Sequence, residues 1–213
     1  MKSIYLTLFL LFTITCNLIA QTNETTIKQL GDLNKADVEQ AGVLNEAMIE
    51  QSGANNALIR QDGFQNVALM WQSGSNTGSI TQDGKHFTDV WQFGIDSNAL
   101  VNQYGENNSA EIKQDGNENK ATIQQYGSDL NAKIHQFGHG NIASILQDFR
   151  AFEMSYGPFI YRNVKIIQYD NDNIATVEQT VPTQFPIIII QNGNMEIDIQ
   201  HHTYGDEEWW SIE

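Results

Sequence analysis

The segment QAGVLNEAMIEQ, residues 40–51, contains the unit that decides the fold of this chain. From Asn45 onward, Asn, Ala, Ile and Gln occupy alternate positions, and Gly42 stands two residues after Gln40. Alternation with a period of two predicts a β-strand that has one constant and one variable face. The glycine predicts a tight turn after each strand, because a positive φ costs little only for glycine.

The unit N-x-A-x-I-x-Q-x-G-x-x recurs at steps of 10 or 11 residues between residues 23 and 147. Its glutamines are Gln29, Gln40, Gln51, Gln61, Gln72, Gln82, Gln92, Gln103, Gln114, Gln125, Gln136 and Gln147. The turn glycines that follow them are Gly31, Gly42, Gly53, Gly63, Gly74, Gly84, Gly94, Gly105, Gly116, Gly127 and Gly138. The strand-initiating asparagines are Asn34, Asn45, Asn55, Asn66, Asn76, Asn108, Asn119 and Asn141, with His86, Ser97 and Leu130 as exceptions.

Repetition at a fixed period predicts an all-β fold, a β-solenoid with two strands and about 22 residues per coil. Twelve strands would form six coils that stack in cross-β geometry. Each inward Asn or Gln then lies over the same residue of the next coil, so the amides form ladders. A buried amide without a partner costs about 1–3 kcal/mol, so such ladders explain how a chain that is only 40% hydrophobic can fold. We interpret these amides as the self-assembly ladder.

The composition excludes several classes of function. The chain has 213 residues and a formal net charge of -15. Binding to nucleic-acid phosphates needs clustered cations, so we expect no nucleic-acid partner. The single cysteine, Cys16, excludes a disulfide framework and a cysteine-based zinc site.

Residues 1–20 have the pattern of a signal peptide, with Lys2 at the start, an apolar run, and Ala20 before the expected cleavage site. A transmembrane anchor and lipidation at Cys16 are the competing interpretations. Cleavage near Ala20 predicts a secreted, extracellular protein. It would also leave the first strand without a preceding cap, and an uncapped stack predicts growth end to end.

The repeats change character towards the C-terminus. Residues 21–147 are the regular solenoid, residues 148–161 interrupt it, and residues 162–201 resume it in degenerate form. Residues 202–213 form an acidic, aromatic tail. The sequence is compatible with three roles for this C-terminal part: a surface-attachment module, a partner-binding tip, or a cap that limits growth.

One outward face is unusually apolar. Besides Met48, the candidate surface interface consists of Val67, Leu69, Trp71, Phe87 and Trp91. The two tryptophans should stack on neighbouring rungs. An exposed apolar patch often marks an interface, and the alternative is that residues 148–161 fold back over it.

The repeat resembles the curlin-associated repeat of bacterial curli, Q-x-G-x-x-N-x-A-x-x-x-Q. Residues 40–51 match it at every fixed position, and so do residues 29–40, 61–72 and 114–125. The resemblance implies a secreted functional-amyloid fibre subunit of the biofilm matrix, which mediates cell adhesion. It also implies that the chain assembles with itself and other curlin-like subunits and is exported by outer-membrane machinery. The pattern A-x-I-x-Q-x-G within the repeat resembles the minor, nucleating subunit slightly more than the major one. One departure is that only Gln21 and Thr22 would separate the signal from the first strand.

Other functions find less support in the sequence. A monomeric β-solenoid adhesin that uses the aromatic face or the tail is the alternative function. An enzyme is not expected, because uniform coils offer no cleft for paired catalytic carboxylates. The neighbours His201 and His202 would point to opposite faces of a strand, so we predict no metal site and no cofactor.

Overall fold

The computed structural model describes residues 22–150, 162–181, 183, 185–204 and 207–212. Its strands are β1 Glu24–Leu30, β2 Lys35–Gln40, β3 Glu46–Gly53, β4 Asn56–Gly63, β5 Val67–Asn117, β6 Lys120–Ser128, β7 Asn131–His139, β8 Ile142–Asp148, β9 Asn163–Tyr169, β10 Ile174–Gln179, β11 Ile187–Asn192, β12 Glu196–Tyr204 and β13 Glu207–Ile212. The predicted signal peptide lies outside the described residues.

The predicted all-β solenoid is confirmed, with about 22 residues per coil. Strands pair in parallel with the strand one coil away: β1 with β3, and β2 with β4. The register places repeat glutamines beside one another, for example Gln29 beside Gln51, up to Gln179, which lies beside His201. Two parallel stacks of strands therefore face each other across a narrow core.

The twelve predicted strands are not all separate. Strand β5 is one extended run of 51 residues that contains five repeat units. The ladder continues through its corners, where Ser73 and Gly74 pair with the corresponding turn residues of β3. A strand that stays paired at the corner need not end there, which is why the repeat boundaries do not all coincide with strand boundaries.

The stack continues beyond the six coils predicted for residues 23–147, in the region where the sequence predicted degenerate repeats. Strands β9 to β12 add two coils, giving about eight in all. Residues 151–161 lie between β8 and β9 in the chain, yet β7 pairs directly with β9 and β8 with β10. Part of the predicted interruption, residues 151–161, lies outside the described residues. The tail contains β13, which pairs antiparallel with β12 and was not predicted.

The core is a column of small and aliphatic side chains. Inward residues such as Ala68, Ile80 and Ile112 are fully buried. Met70 stands in a position where other units have Ile or Val, and it is accommodated because its neighbour Gly78 lacks a Cβ. A Cβ on Gly78 would lie 2.7 Å from the Met70 Sδ.

Candidate self-assembly interface

The first glutamine ladder runs along the stack that contains β1. In every rung the amide Nε2 donates to the Oε1 of the next glutamine towards the C-terminal end, as in Gln72 to Gln92 at 2.8 Å. The ladder comprises Gln29, Gln51, Gln72, Gln92, Gln114, Gln136, Gln168 and Gln191. All its donors point the same way, so the ladder has an acceptor end and a donor end.

The second ladder runs along the stack that contains β2, with the same donor direction. It comprises Gln40, Gln61, Gln82, Gln103, Gln125, Gln147 and Gln179. The next rung is occupied by His201, which pairs with Gln179 in the register and is completely buried. The second ladder therefore changes chemistry at the last coil, whereas the first ladder does not.

The asparagine positions also form ladders, as predicted, and their side chains bond to backbone groups as well as to each other. The Oδ1 of Asn45 accepts the backbone N–H of Asn66 at 3.0 Å, and its Nδ2 donates to the Ala41 carbonyl at 2.7 Å. Direct Asn-to-Asn amide bonds occur as well, as from Asn66 to Asn45 at 3.0 Å. The short asparagine side chain thus ties each turn to the next coil.

The exceptional residues in the asparagine positions have different effects. The Nδ1 of His86 accepts the N–H of Asn108, and the Oγ of Ser97 accepts the N–H of Asn119. Both therefore replace the asparagine oxygen. Leu130 has no side-chain acceptor, and the corresponding position of the next coil is occupied by Arg162, whose carbonyl accepts the N–H of Asn131.

Most turn glycines stack directly on a glycine of the next coil, whereas Gly127 and Gly138 stack on Phe149 and Asp170. At Gly74 the φ is +113°, and a Cβ would lie 1.8 Å from the carbonyl oxygen of Gly94. The sequence predicted the requirement for positive φ. The structure adds a second requirement, since the backbones of successive coils approach too closely for any side chain.

The N-terminal end of the stack is an open edge. Among the described residues, β1 and β2 pair only with β3 and β4. Ile27, an inward residue, is 44% exposed here, whereas its rung neighbour Ile49 is completely buried. Unpaired strand edges are templates for pairing with another chain, so this edge is a candidate site for self-assembly.

The predicted aromatic patch lies on the outward face of the first stack. The rings of Trp71 and Trp91 are stacked with centroids 4.8 Å apart, as the register predicted. Together with Leu30 and Phe93 they line an open groove of about 360 Å³. Phe93 was missed by the sequence prediction, although it follows Gln92 directly. Residues 151–161, the predicted cover, are outside the described part of the chain.

Two further aromatic stacks were missed. Tyr104 stacks on Tyr126 at 5.2 Å, and Phe137 stacks on Tyr169 at 5.4 Å. Each of these residues directly follows a ladder glutamine. Aromatic residues at the same repeat position, one coil apart, are the signal that could have identified them.

A charged cluster on the outward face of the first stack is centred on Glu111. Burial raises the pKa of this carboxylate, but hydrogen bonds from Lys113, Lys133 and His135 outweigh burial and lower it to about 2. Lys133 Nζ lies 2.8 Å and His135 Nε2 3.1 Å from the carboxylate oxygens. The cluster links two neighbouring coils from outside and offers no arrangement for acid–base catalysis, because the carboxylate is fully engaged.

Within the described residues, no group of three or more His, Cys, Asp or Glu side chains is placed to hold a metal ion. His201 is buried on its rung, and the Nδ1 of the half-buried His202 lies 3.0 Å from the Thr180 hydroxyl. In the same ranges, no helix has the length and hydropathy needed to cross a membrane.

These features define a parallel β-solenoid with two polar amide ladders and open strand edges. The model of the curlin-associated repeat matches residues 22–53 and 105–138 of the chain. The resemblance inferred from the repeat is thereby confirmed, and these stretches are curlin-associated repeats. No individual curated protein matches the chain significantly, and neither does any solved structure.

Proposed function

We propose that this chain is a secreted, curlin-like fibre subunit or nucleator that assembles end to end. The observation that carries the proposal is the first glutamine ladder, which has an unbonded acceptor at one end and the same residue type at the other. In the described part of the chain, no donor reaches the Oε1 of Gln29. A further glutamine above it would complete the rung without any change of fold.

The curlin repeats support the same function. Curlin-repeat proteins are extracellular fibre subunits, and residues 1–20 have the sequence pattern of a signal peptide. We propose cleavage after Ala20, export by outer-membrane machinery, and a role in cell adhesion and the biofilm matrix. The preference for the nucleating subunit rests on the A-x-I-x-Q-x-G pattern of the repeat alone.

The groove around Trp71 and Trp91 is, in this proposal, a secondary contact surface on the side of the fibre. Stacking of a further coil on β1 would leave Trp71, Trp91 and Phe93 exposed on the outward face, although the groove reaches the edge strand at Leu30. It would therefore remain available for adhesion after assembly.

The test is assembly of the purified mature chain, residues 21–213. We expect fibres that bind amyloid dyes and give a cross-β reflection near 4.7–4.8 Å. Fragments of preformed fibres should shorten the lag phase. A preparation that stays monomeric for days at micromolar concentration, with or without added fragments, would contradict the proposal.

A further inference from the structure

The C-terminal end of the stack is asymmetric. In the described residues, β11 pairs only with β9, so its outer edge is open. The last strand of the other stack, β12, carries the antiparallel β13 on its outer edge. The register pairs Ile212 with Ile199 and Trp210 with His201. One half of this end is therefore available for pairing, and the other half is covered by the chain's own strand.

The ladders show the same asymmetry. Gln191, at the end of the first ladder, directs its Nε2 at the carbonyls of Ile174 and Met195, at 2.7 and 2.9 Å. A second copy stacked on this end would bring the unbonded Oε1 of Gln29 over Gln191, which continues the ladder with the correct donor direction. The second ladder ends in His201, and at the other end the Oε1 of Gln40 already accepts from the Thr25 hydroxyl.

The outward side chains favour pairing on the first stack as well. Continuing the register would place Lys28 of the second copy beside Ile190 and its Thr26 beside Ile188. The two isoleucines are 61% and 57% exposed in the single chain. On the second stack, the same register would place Asp37 of the second copy beside Asp198, a like-charge contact that is unfavourable.

Building on the proposed fibre function, we propose that a second copy of this chain docks its first coil on the open edge of β11, and that β13 is an autoinhibitory strand which must leave β12 before the junction closes. Docking on β11 alone pairs one strand of the incoming coil. Closure of the junction exchanges the antiparallel β12–β13 pairing for a parallel pairing of β12 with β2 of the second copy. Assembly is thus slowed, and not prevented, by the chain's own C-terminal strand.

The first experiment locks β13 reversibly. Gln200 and Ser211 are register partners on β12 and β13, and the mature chain has no cysteine of its own. Paired antiparallel residues have Cα atoms about 4.5–5.5 Å apart, which suits a disulfide. In the Gln200→Cys/Ser211→Cys variant, we expect elongation on added fibre fragments to be at least about tenfold slower when oxidised than when reduced. The Ser211→Cys single variant under the same two conditions controls for effects of the redox agents.

A second experiment tests the β11 junction independently of β13. Ile190→Glu and Ile190→Lys both remove the same apolar side chain, but only the glutamate would face Lys28 of the second copy favourably. We therefore expect Ile190→Glu to elongate faster than Ile190→Lys, with the difference shrinking at high salt. Nonspecific aggregation of this acidic chain predicts the opposite order, because lysine reduces the net charge of -15. Melting curves of both variants would show that the folded monomer is retained.

The outcomes separate the two proposals. If the wild-type chain and the reduced disulfide variant fail to form fibres, the proposed function is wrong. If both form fibres while the oxidised variant elongates as fast as the reduced one, the autoinhibitory role of β13 is overturned and the fibre function stands. If Ile190→Lys elongates as fast as Ile190→Glu or faster, docking on β11 in this register is overturned.

Discussion

The Nδ1 of His86 accepts the backbone N–H of Asn108 from the next coil, at 3.4 Å. An acceptor at Nδ1 requires the proton of the neutral ring to be on Nε2, which lies 2.8 Å from the carbonyl oxygen of Asp83. His86 thus takes the place of a repeat asparagine only while it is neutral. Burial is the largest influence on this ring, and it lowers the pKa of His86 despite the opposing effects of Asp83 and Glu106.

A folded-state pKa below the ordinary 6.5 makes His86 a source of acid sensitivity. As the pH falls through about 6.5, the unfolded chain takes up a proton that the folded chain resists, so stability decreases. We expect His86→Asn to weaken the decrease in unfolding free energy between pH 7 and pH 5. Urea unfolding of both proteins at several pH values measures this change in the pH dependence of the unfolding free energy.

The matched control for this prediction is His139→Asn, since His139 has an exposed side chain. An equal change of pH dependence in both variants would contradict the role assigned to His86.

Loss of the Glu111 carboxylate should weaken the contact between neighbouring coils. We expect Glu111→Gln to lower the unfolding free energy at pH 7 by about 1–3 kcal/mol, because Lys113, Lys133 and His135 lose a shared partner. The pKa of about 2 lies below the ordinary 4.5, so the wild-type contribution is present above 4.5 and disappears towards 2. The variant should therefore approach the wild type in stability at low pH. Glu118→Gln, at a 63% exposed side chain, is the control and should cost much less.

The stacked turn glycines should not tolerate alanine. Gly74→Ala would place an alanine at a φ of +113°, with its Cβ 1.8 Å from the Gly94 carbonyl oxygen. We therefore expect the unfolding free energy to fall by more than about 2 kcal/mol, or the variant to fail to fold. Gly78→Ala is the comparison, because there the close neighbour is the flexible end of Met70 and Ala is the usual repeat residue. Its cost should be smaller and should be relieved by Met70→Ile. Equal losses for the two alanine variants would show that coil stacking does not constrain the turns.

The cost of breaking the glutamine ladder should depend on the rung. Gln92→Leu leaves the Nε2 of Gln72 without its acceptor and the Oε1 of Gln114 without its donor. We expect the unfolding free energy to fall by about 2–6 kcal/mol, from two buried groups at about 1–3 kcal/mol each. Gln29→Leu, at the open end, affects only the bond to Gln51 and should cost less than half as much. Denaturant unfolding of both variants provides the comparison, and equal losses would mean that the ladder bonds contribute little.

The sequence predicted the rungs well because their chemistry repeats. Gln168 and Gln191 occupy ladder positions although the residues around them depart from the repeat. The glutamine and the alternation before it were enough to predict the fold. The pairs Tyr104–Tyr126 and Phe137–Tyr169 could have been predicted by the same argument, applied to the position after each glutamine.

Features outside the repeat were not predictable in this way. The antiparallel pairing of β13 follows no repeat, so nothing in residues 207–212 specifies Ile199 or His201 as partners. The direction of the amide donors depends on the whole stack, since either orientation satisfies a single rung. The backbone partners of Asn45 depend on how closely the turns approach one another.

The rungs Gln136–Gln168 and Gln147–Gln179 each span 32 residues, yet they carry the same amide bond as the rung Gln92–Gln114, which spans 22 residues. The connection between β8 and β9 can therefore be longer than the others without a change in the coils on either side. A domain inserted into this connection would be present at one copy per subunit, and its spacing along a fibre would be set by the number of coils in each subunit.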